Sequence, residues 1–107
     1  MAASYMDIRV FNEKLMPLVE KLRKYPMYHS NISYVGEFPS GSGCIMRFKG
    51  GVTLTSWGED ITVTLTPTGP NTTQVQVYSV CALPTQVVDW GVNRQNVNNI
   101  MIALTVF

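Results

Sequence analysis

Residues 61–77 read ITVTLTPTGPNTTQVQV, and this stretch decides the fold. Ile61, Val63 and Leu65 alternate with Thr62, Thr64 and Thr66, and beyond a turn at 67–71 Val75 and Val77 alternate with Gln74 and Gln76. A period of two puts the aliphatic side chains on one face of a strand and the Thr and Gln side chains on the other. The break between the runs holds Pro67, Gly69 and Pro70 and is too short for a crossover helix, so the two strands pair antiparallel.

The same period continues upstream. Cys44, Met46 and Phe48 face one way with Arg47 and Lys49 opposite, and Tyr28, Ile32 and Tyr34 mark an earlier strand with His29 on its other side. Residues 38–43 read as the loop between them. Lys49-Gly50-Gly51 reads as a hairpin turn into Val52 and Leu54, with Thr53, Thr55 and Trp57 on the opposite face, and Glu59 and Asp60 as turn residues.

At both ends the period changes to that of a helix. Over residues 7–24, Ile8, Phe11, Leu15, Leu18 and Leu22 recur at spacings of three and four, while Glu13, Lys14, Glu20, Lys21 and Arg23 fall mostly off that stripe. Two versions fit. Either Asp7 caps a helix that bends at Pro17, or the helix starts near Asn12, which puts Pro17 close to its first turn and frees residues 5–10 as a short edge strand. Tyr25-Pro26 is expected to end this helix. Residues 93–104 return to helical spacing through Val97, Ile100, Met101 and Leu104, with Asn93 as cap and residues 85–92 as an ordered connection.

A sheet with one apolar face needs a cover, and two amphipathic helices are the cover this chain offers. The expected fold is therefore α+β. It is a two-layer sandwich in which an antiparallel four- to five-stranded meander sheet carries an N-terminal and a C-terminal helix on one face, all within one domain over residues 1–107. At 107 residues there is no room for a second independent core.

Charge bounds the function. Only 14% of residues are charged, against about 25% in an average soluble domain, and the net charge is +1. No field exists to gather nucleic acid or anionic lipid over a distance, so neither is an expected partner. No apolar run approaches the roughly 20 residues of a membrane-spanning helix, and the first residues do not read as a secretory signal, so a cytoplasmic chain is expected. Cys44 and Cys81 match no zinc or thioredoxin spacing; they read as reduced thiols on strands, with a disulfide or a functional thiol as the alternatives.

Chemistry is thinly supported. His29 is the one histidine and has no nucleophile-elbow serine or second histidine to work with, so it reads as a surface residue. Adjacent Glu59 and Asp60 would point to opposite faces of an extended segment and could not flank one bond. The glycines at 36, 41, 43, 50 and 51 precede strands or turns, not the helix start of a phosphate loop. No catalytic residue, metal site or cofactor is expected, and an enzyme would need Asp89, His29 or Tyr78 to converge in one cleft.

Two features stand out instead. Ser56-Trp57-Gly58 and Asp89-Trp90-Gly91 place each tryptophan before a turn glycine, where an indole either caps the core or forms a binding rim. Thr53, Thr55, Thr62, Thr64, Thr66, Gln74 and Gln76 would line one sheet face almost without charge, which suits contact with another uncharged surface better than a plain wet face does. Asn93, Asn96, Asn98 and Asn99 would give the last helix a similar outer side. The candidate binding residues are thus Trp57, Asp89, Trp90, Thr53, Thr62, Thr64, Gln74 and Gln76.

With Ser-Trp-Gly at 56–58, the alternation of 61–77 and Gln86-Val87-Val88-Asp89-Trp90-Gly91, the chain resembles a family of small uncharacterised bacterial proteins. These likewise run from an amphipathic helix through a Ser-Trp motif and hairpins to a Gln-x-x-Asp-Trp-Gly segment and a final helix. The resemblance implies an α+β fold and a bacterial source, and it carries no activity. The leading expectation is a non-catalytic binding or assembly module, acting as a homo-oligomer or on another protein through the Thr and Gln face. The alternative is a carrier or sensor of an apolar small molecule held between helices and sheet, with Met16, Met27, Met46 and Met101 as adaptable lining.

Overall fold

The computed structural model describes residues 2–51, 58–83 and 91–105. Along them run β1 (Ser4–Phe11), α1 (Leu15–Tyr28), β2 (Ile32–Ser40), β3 (Gly43–Gly50), β4 (Glu59–Gly69), β5 (Thr72–Cys81) and α2 (Val92–Thr105). The strands form one antiparallel sheet in the order β1-β5-β4-β3-β2, a four-stranded meander extended by β1 along the outer edge of β5. Both helices pack on the same face, α1 towards β2 and β4, α2 towards β5 and β1, and they touch each other. The fold is the expected α+β arrangement.

The 61–77 hairpin pairs as its alternation requires, with Val63 opposite Val77, Leu65 opposite Val75 and Thr64 opposite Gln76. Ile61, Val63, Leu65, Val75 and Val77 are buried beneath the helices. They join Leu18, Val19, Leu22 and Tyr25 of α1, Met46 and Phe48 of β3, and Val97, Ile100, Met101 and Leu104 of α2 in one cluster. Each such side chain contributes about 1.5–3 kcal/mol on full burial, which is what holds two short helices to the sheet.

At the N-terminus the strand-then-helix version is the one formed. Asp7 lies in β1, where its Oδ1 accepts from the Ile8 amide at 2.9 Å, and it caps nothing. Helix α1 starts at Leu15 after an extended Lys14, so Pro17 is its third residue, where a backbone N–H would have no helical partner anyway. Ile8 therefore leaves the helical stripe for the outer face of β1. Pro26 does not stop α1, which runs two residues further to Tyr28. The missing N–H falls in the last turn, and the buried Tyr25 ring, stacked on His29 at 4.0 Å and edge-on to Phe48 at 6.5 Å, holds that turn on the sheet.

Other boundaries also shift. Tyr28 is helical and exposed, and Phe38, Pro39 and Ser40 extend β2, leaving Gly41 and Ser42 as a two-residue turn. The β2–β3 register slips between Tyr34 and Gly36, so Val35 is an extra, outward residue. Glu59 and Asp60 begin β4 and are not a turn; Lys49 pairs with Asp60 across the β3–β4 ladder. The strand expected from Val52 to Trp57 and the connection around residues 84–90 lie outside the described residues. Cys44 and Cys81 are free thiols.

Candidate functional site

Four of the expected binding residues come together. Thr62 and Thr64 on β4 lie beside Tyr78 and Gln76 on β5, and Gln74 faces Thr66, all on the sheet face away from the helices and half-buried apart from the exposed Thr66 and Tyr78. Thr53, Trp57, Asp89 and Trp90 lie outside the described residues. The face differs from the expected Thr and Gln surface because β1 and β2 complete it. One cross-strand row reads Ile8, Gln76, Thr64, Ile45, Phe38, and β1 adds Met6 and Val10. Met6 is 47% exposed, Ile8 45%, Val10 60% and Phe38 52%. Among the described residues, charge on this face is confined to Arg47, set over the Phe38 ring at 5.8 Å, and to the Lys49–Asp60 pair at 3.2 Å.

A second group lies on the inner side, where α2 begins. Asn93 and Asn96, one helical turn apart on the stripe that continues through Val97 and Ile100, point into the sheet and are buried. They were expected on the outer side of α2; only Asn98 and Asn99 are even half-exposed. Asn93 does not cap the helix with its side chain. It accepts from the Ser79 hydroxyl at 2.7 Å and donates to the Ala3 carbonyl at 2.9 Å and to Cys81 Sγ at 3.4 Å. Asn96 Nδ2 donates to Glu59 Oε1 at 2.9 Å and to Ser79 Oγ at 3.3 Å.

Glu59 completes the group, in the first position of β4 and not in the expected turn. It is 6% exposed, sits opposite Cys81, and lies across the bare backbone of Gly50, where a Cβ would collide with its carboxyl oxygen. Its one hydrogen-bond partner among the described residues is Asn96. None of the five ion pairs among the described residues includes it.

Counting back by two from Ile61 reaches Glu59, and the stripe of Val97 and Ile100 reaches Asn93 and Asn96. Those were the signals for this group. The adjacent Trp57-Gly58 turn hid the first, and the general preference of asparagine for caps and surfaces hid the second. The group is a hydrogen-bonded set of amide, hydroxyl, thiol and carboxyl side chains at one end of a largely apolar interior. Tyr78 is on the opposite side of the sheet from His29, so the convergence an enzyme would have needed does not form between those two residues.

A third cluster braces the edge. Arg23 of α1 donates to both carboxylate oxygens of Glu37 at 2.9 and 2.8 Å, and the Tyr34 hydroxyl donates to the same carboxylate at 2.5 Å. These bonds hold the Glu37 carboxyl down at about 2, with the Arg23 bonds the larger cause. Arg23 is pushed up in return, and Tyr34 rises to about 12, mainly through desolvation and then through its bond to Glu37. Burial raises Tyr25 to about 12 as well and pushes the Cys44 thiol up. Of the four methionines expected as lining, Met46 and Met101 are fully buried, while Met16 and Met27 are exposed.

No protein-family model matches the chain, and no curated protein matches it in sequence. Among solved structures, it is similar to a START superfamily protein from Mycobacterium smegmatis, at a TM-score of 0.54 and 10% identity over 94% of this chain and 93% of that one. At that identity the likeness is one of fold.

Proposed function

We propose that the chain is a carrier or sensor of an apolar small molecule, held between α2 and the inner face of the sheet. The observation that carries this is the distribution of polarity inside. The interior under α2 is apolar from Ile61 and Val97 to Leu104, and four of the five buried polar residues among the described ones, Glu59, Ser79, Asn93 and Asn96, gather at one end, the fifth being Thr73, whose hydroxyl donates to the Glu13 carbonyl. Small-molecule sites have this composition, an apolar wall with a few convergent polar groups that fix orientation. The likeness of fold to a START superfamily protein over nearly the whole chain supports the same reading. Titration with the fluorescent apolar amine N-phenyl-1-naphthylamine tests it. Saturable one-to-one binding, competed by decan-1-ol and abolished by Val97→Trp, is expected; linear, unsaturable uptake would sink it.

A second reading, assembly of two copies through the outer sheet face, is favoured by the apolar side chains that β1 and β2 add there. Five strands about 4.8 Å apart and about eight residues long present a face near the ~800 Å² per partner of a stable interface. A two-fold stack would cover Met6, Ile8, Val10 and Phe38 with their counterparts. Light scattering during size-exclusion chromatography is expected to give a dimer that Thr64→Lys splits and Asn98→Lys leaves intact. A monomer at high concentration would remove this reading and leave the carrier untouched.

A further inference from the structure

We propose that the bound molecule carries an amine or ammonium head on its apolar body, and that Glu59 and Asn96 receive that head. The inference rests on the carrier reading and names the class of ligand. It comes from an accounting of donors and acceptors in the buried group. The Ser79 hydroxyl proton goes to Asn93. The two amide protons of Asn93 go to Ala3 and Cys81, and the two of Asn96 to Glu59 and Ser79. Every side-chain donor proton of Ser79, Asn93 and Asn96 is committed.

The acceptors are not. Among the described residues, Glu59 Oε2 and Asn96 Oδ1 accept from no group, and both side chains are more than nine-tenths buried. The chain has eight Lys and Arg residues, every one on the described residues, and none pairs with Glu59. A buried carboxyl group and a buried amide oxygen on neighbouring elements, with no amide or hydroxyl proton of the group left to serve them and only the weak S–H donor of Cys81 beside them, are complementary to a head that brings several N–H donors and no acceptor. A hydroxyl head brings one donor together with new lone pairs. A carboxylate head brings only acceptors and would face Glu59.

Calorimetric titration of the full chain with decylammonium, decan-1-ol and decanoate, each below its aggregation limit, tests the proposal. Decylammonium is expected to bind about tenfold or more tighter than decan-1-ol, with decanoate weakest. In Glu59→Gln, an isosteric change, the ammonium-to-alcohol ratio is expected to fall below about threefold, and Asn96→Leu to lower it as well. The wild-type series decides even if a variant does not fold. Equal affinities for the three compounds would overturn this proposal and leave the carrier reading standing, as would a tenfold preference that survives Glu59→Gln. Failure of all three to bind would bring down the carrier reading and this one with it.

Discussion

Glu37 shows how one carboxyl can tie a helix to a sheet edge. Its value of about 2 lies below the ordinary 4.5, so folding favours the ionised form. The stabilisation is fully present above the ordinary value and is lost as the pH falls from about 4.5 towards about 2. Wild type and Glu37→Gln should differ in urea midpoint at pH 6, by a small amount because the pair is partly exposed, and converge near pH 2. A gap independent of pH would contradict this. Two glycines give a sharper contrast. Gly41 has φ +58 and open space around it, whereas Gly58 has φ +84 and a Cβ there would come within 3.0 Å of the Gly51 carbonyl oxygen and nearer still to that of Gly50. Gly41→Ala should cost about 1 kcal/mol in unfolding free energy and Gly58→Ala roughly 3 kcal/mol; equal losses would refute the steric account. Single residues were also where the sequence was least legible. Glu59, Asn93 and Asn96 are polar side chains used against their usual preference, and the tertiary contacts that satisfy them link residues up to ninety positions apart.

Elements were read better, because periodicity belongs to an element as a whole. The change from a period of 2 to one near 3.6 located β3, β4, β5 and α2, and the apolar face of each is the buried one. It left two versions open from Ile8 to Phe11, whose spacing of three continues the helical stripe, and pairing with β5 decides for the strand, in which those two side chains point to opposite faces. Pro26 predicts a stop because a proline breaks one helical bond, but near the end of α1 that loss is outweighed by the burial of Tyr25. Helix α2 allows a direct test of the stripe. Ile100 is fully buried and Ile102 is 58% exposed, two positions along the same helix. Ile100→Ala should destabilise by about 2–5 kcal/mol and Ile102→Ala by under about 0.5 kcal/mol in chemical denaturation. Comparable effects would mean that α2 is rotated about its axis from the orientation described.

At the scale of the whole molecule the question is how the layers separate. Cys44 and Cys81 stand opposite Leu65 and Glu59, six residues apart along β4, or about 20 Å, too far for a disulfide. They serve instead as reporters of two different motions. Cys44 is half-buried on β3, so a thiol reagent should reach it in the native state, slowed by its raised pKa. Cys81 is buried under the start of α2, where Asn93 donates to its sulfur, and it can react only when α2 lifts or the chain unfolds. A molecule held between α2 and the sheet must enter by the first of these routes. Labelling of Cys81 should therefore be faster than global unfolding and nearly independent of low urea. Saturating decan-1-ol, at about 100 times its dissociation constant, should slow it by about 100-fold while leaving Cys44 unaffected. If Cys81 labels only at the rate of global unfolding, α2 is a fixed wall and the entry route lies elsewhere. If decan-1-ol slows both thiols alike, the ligand stabilises the whole sandwich and not the α2 contact in particular.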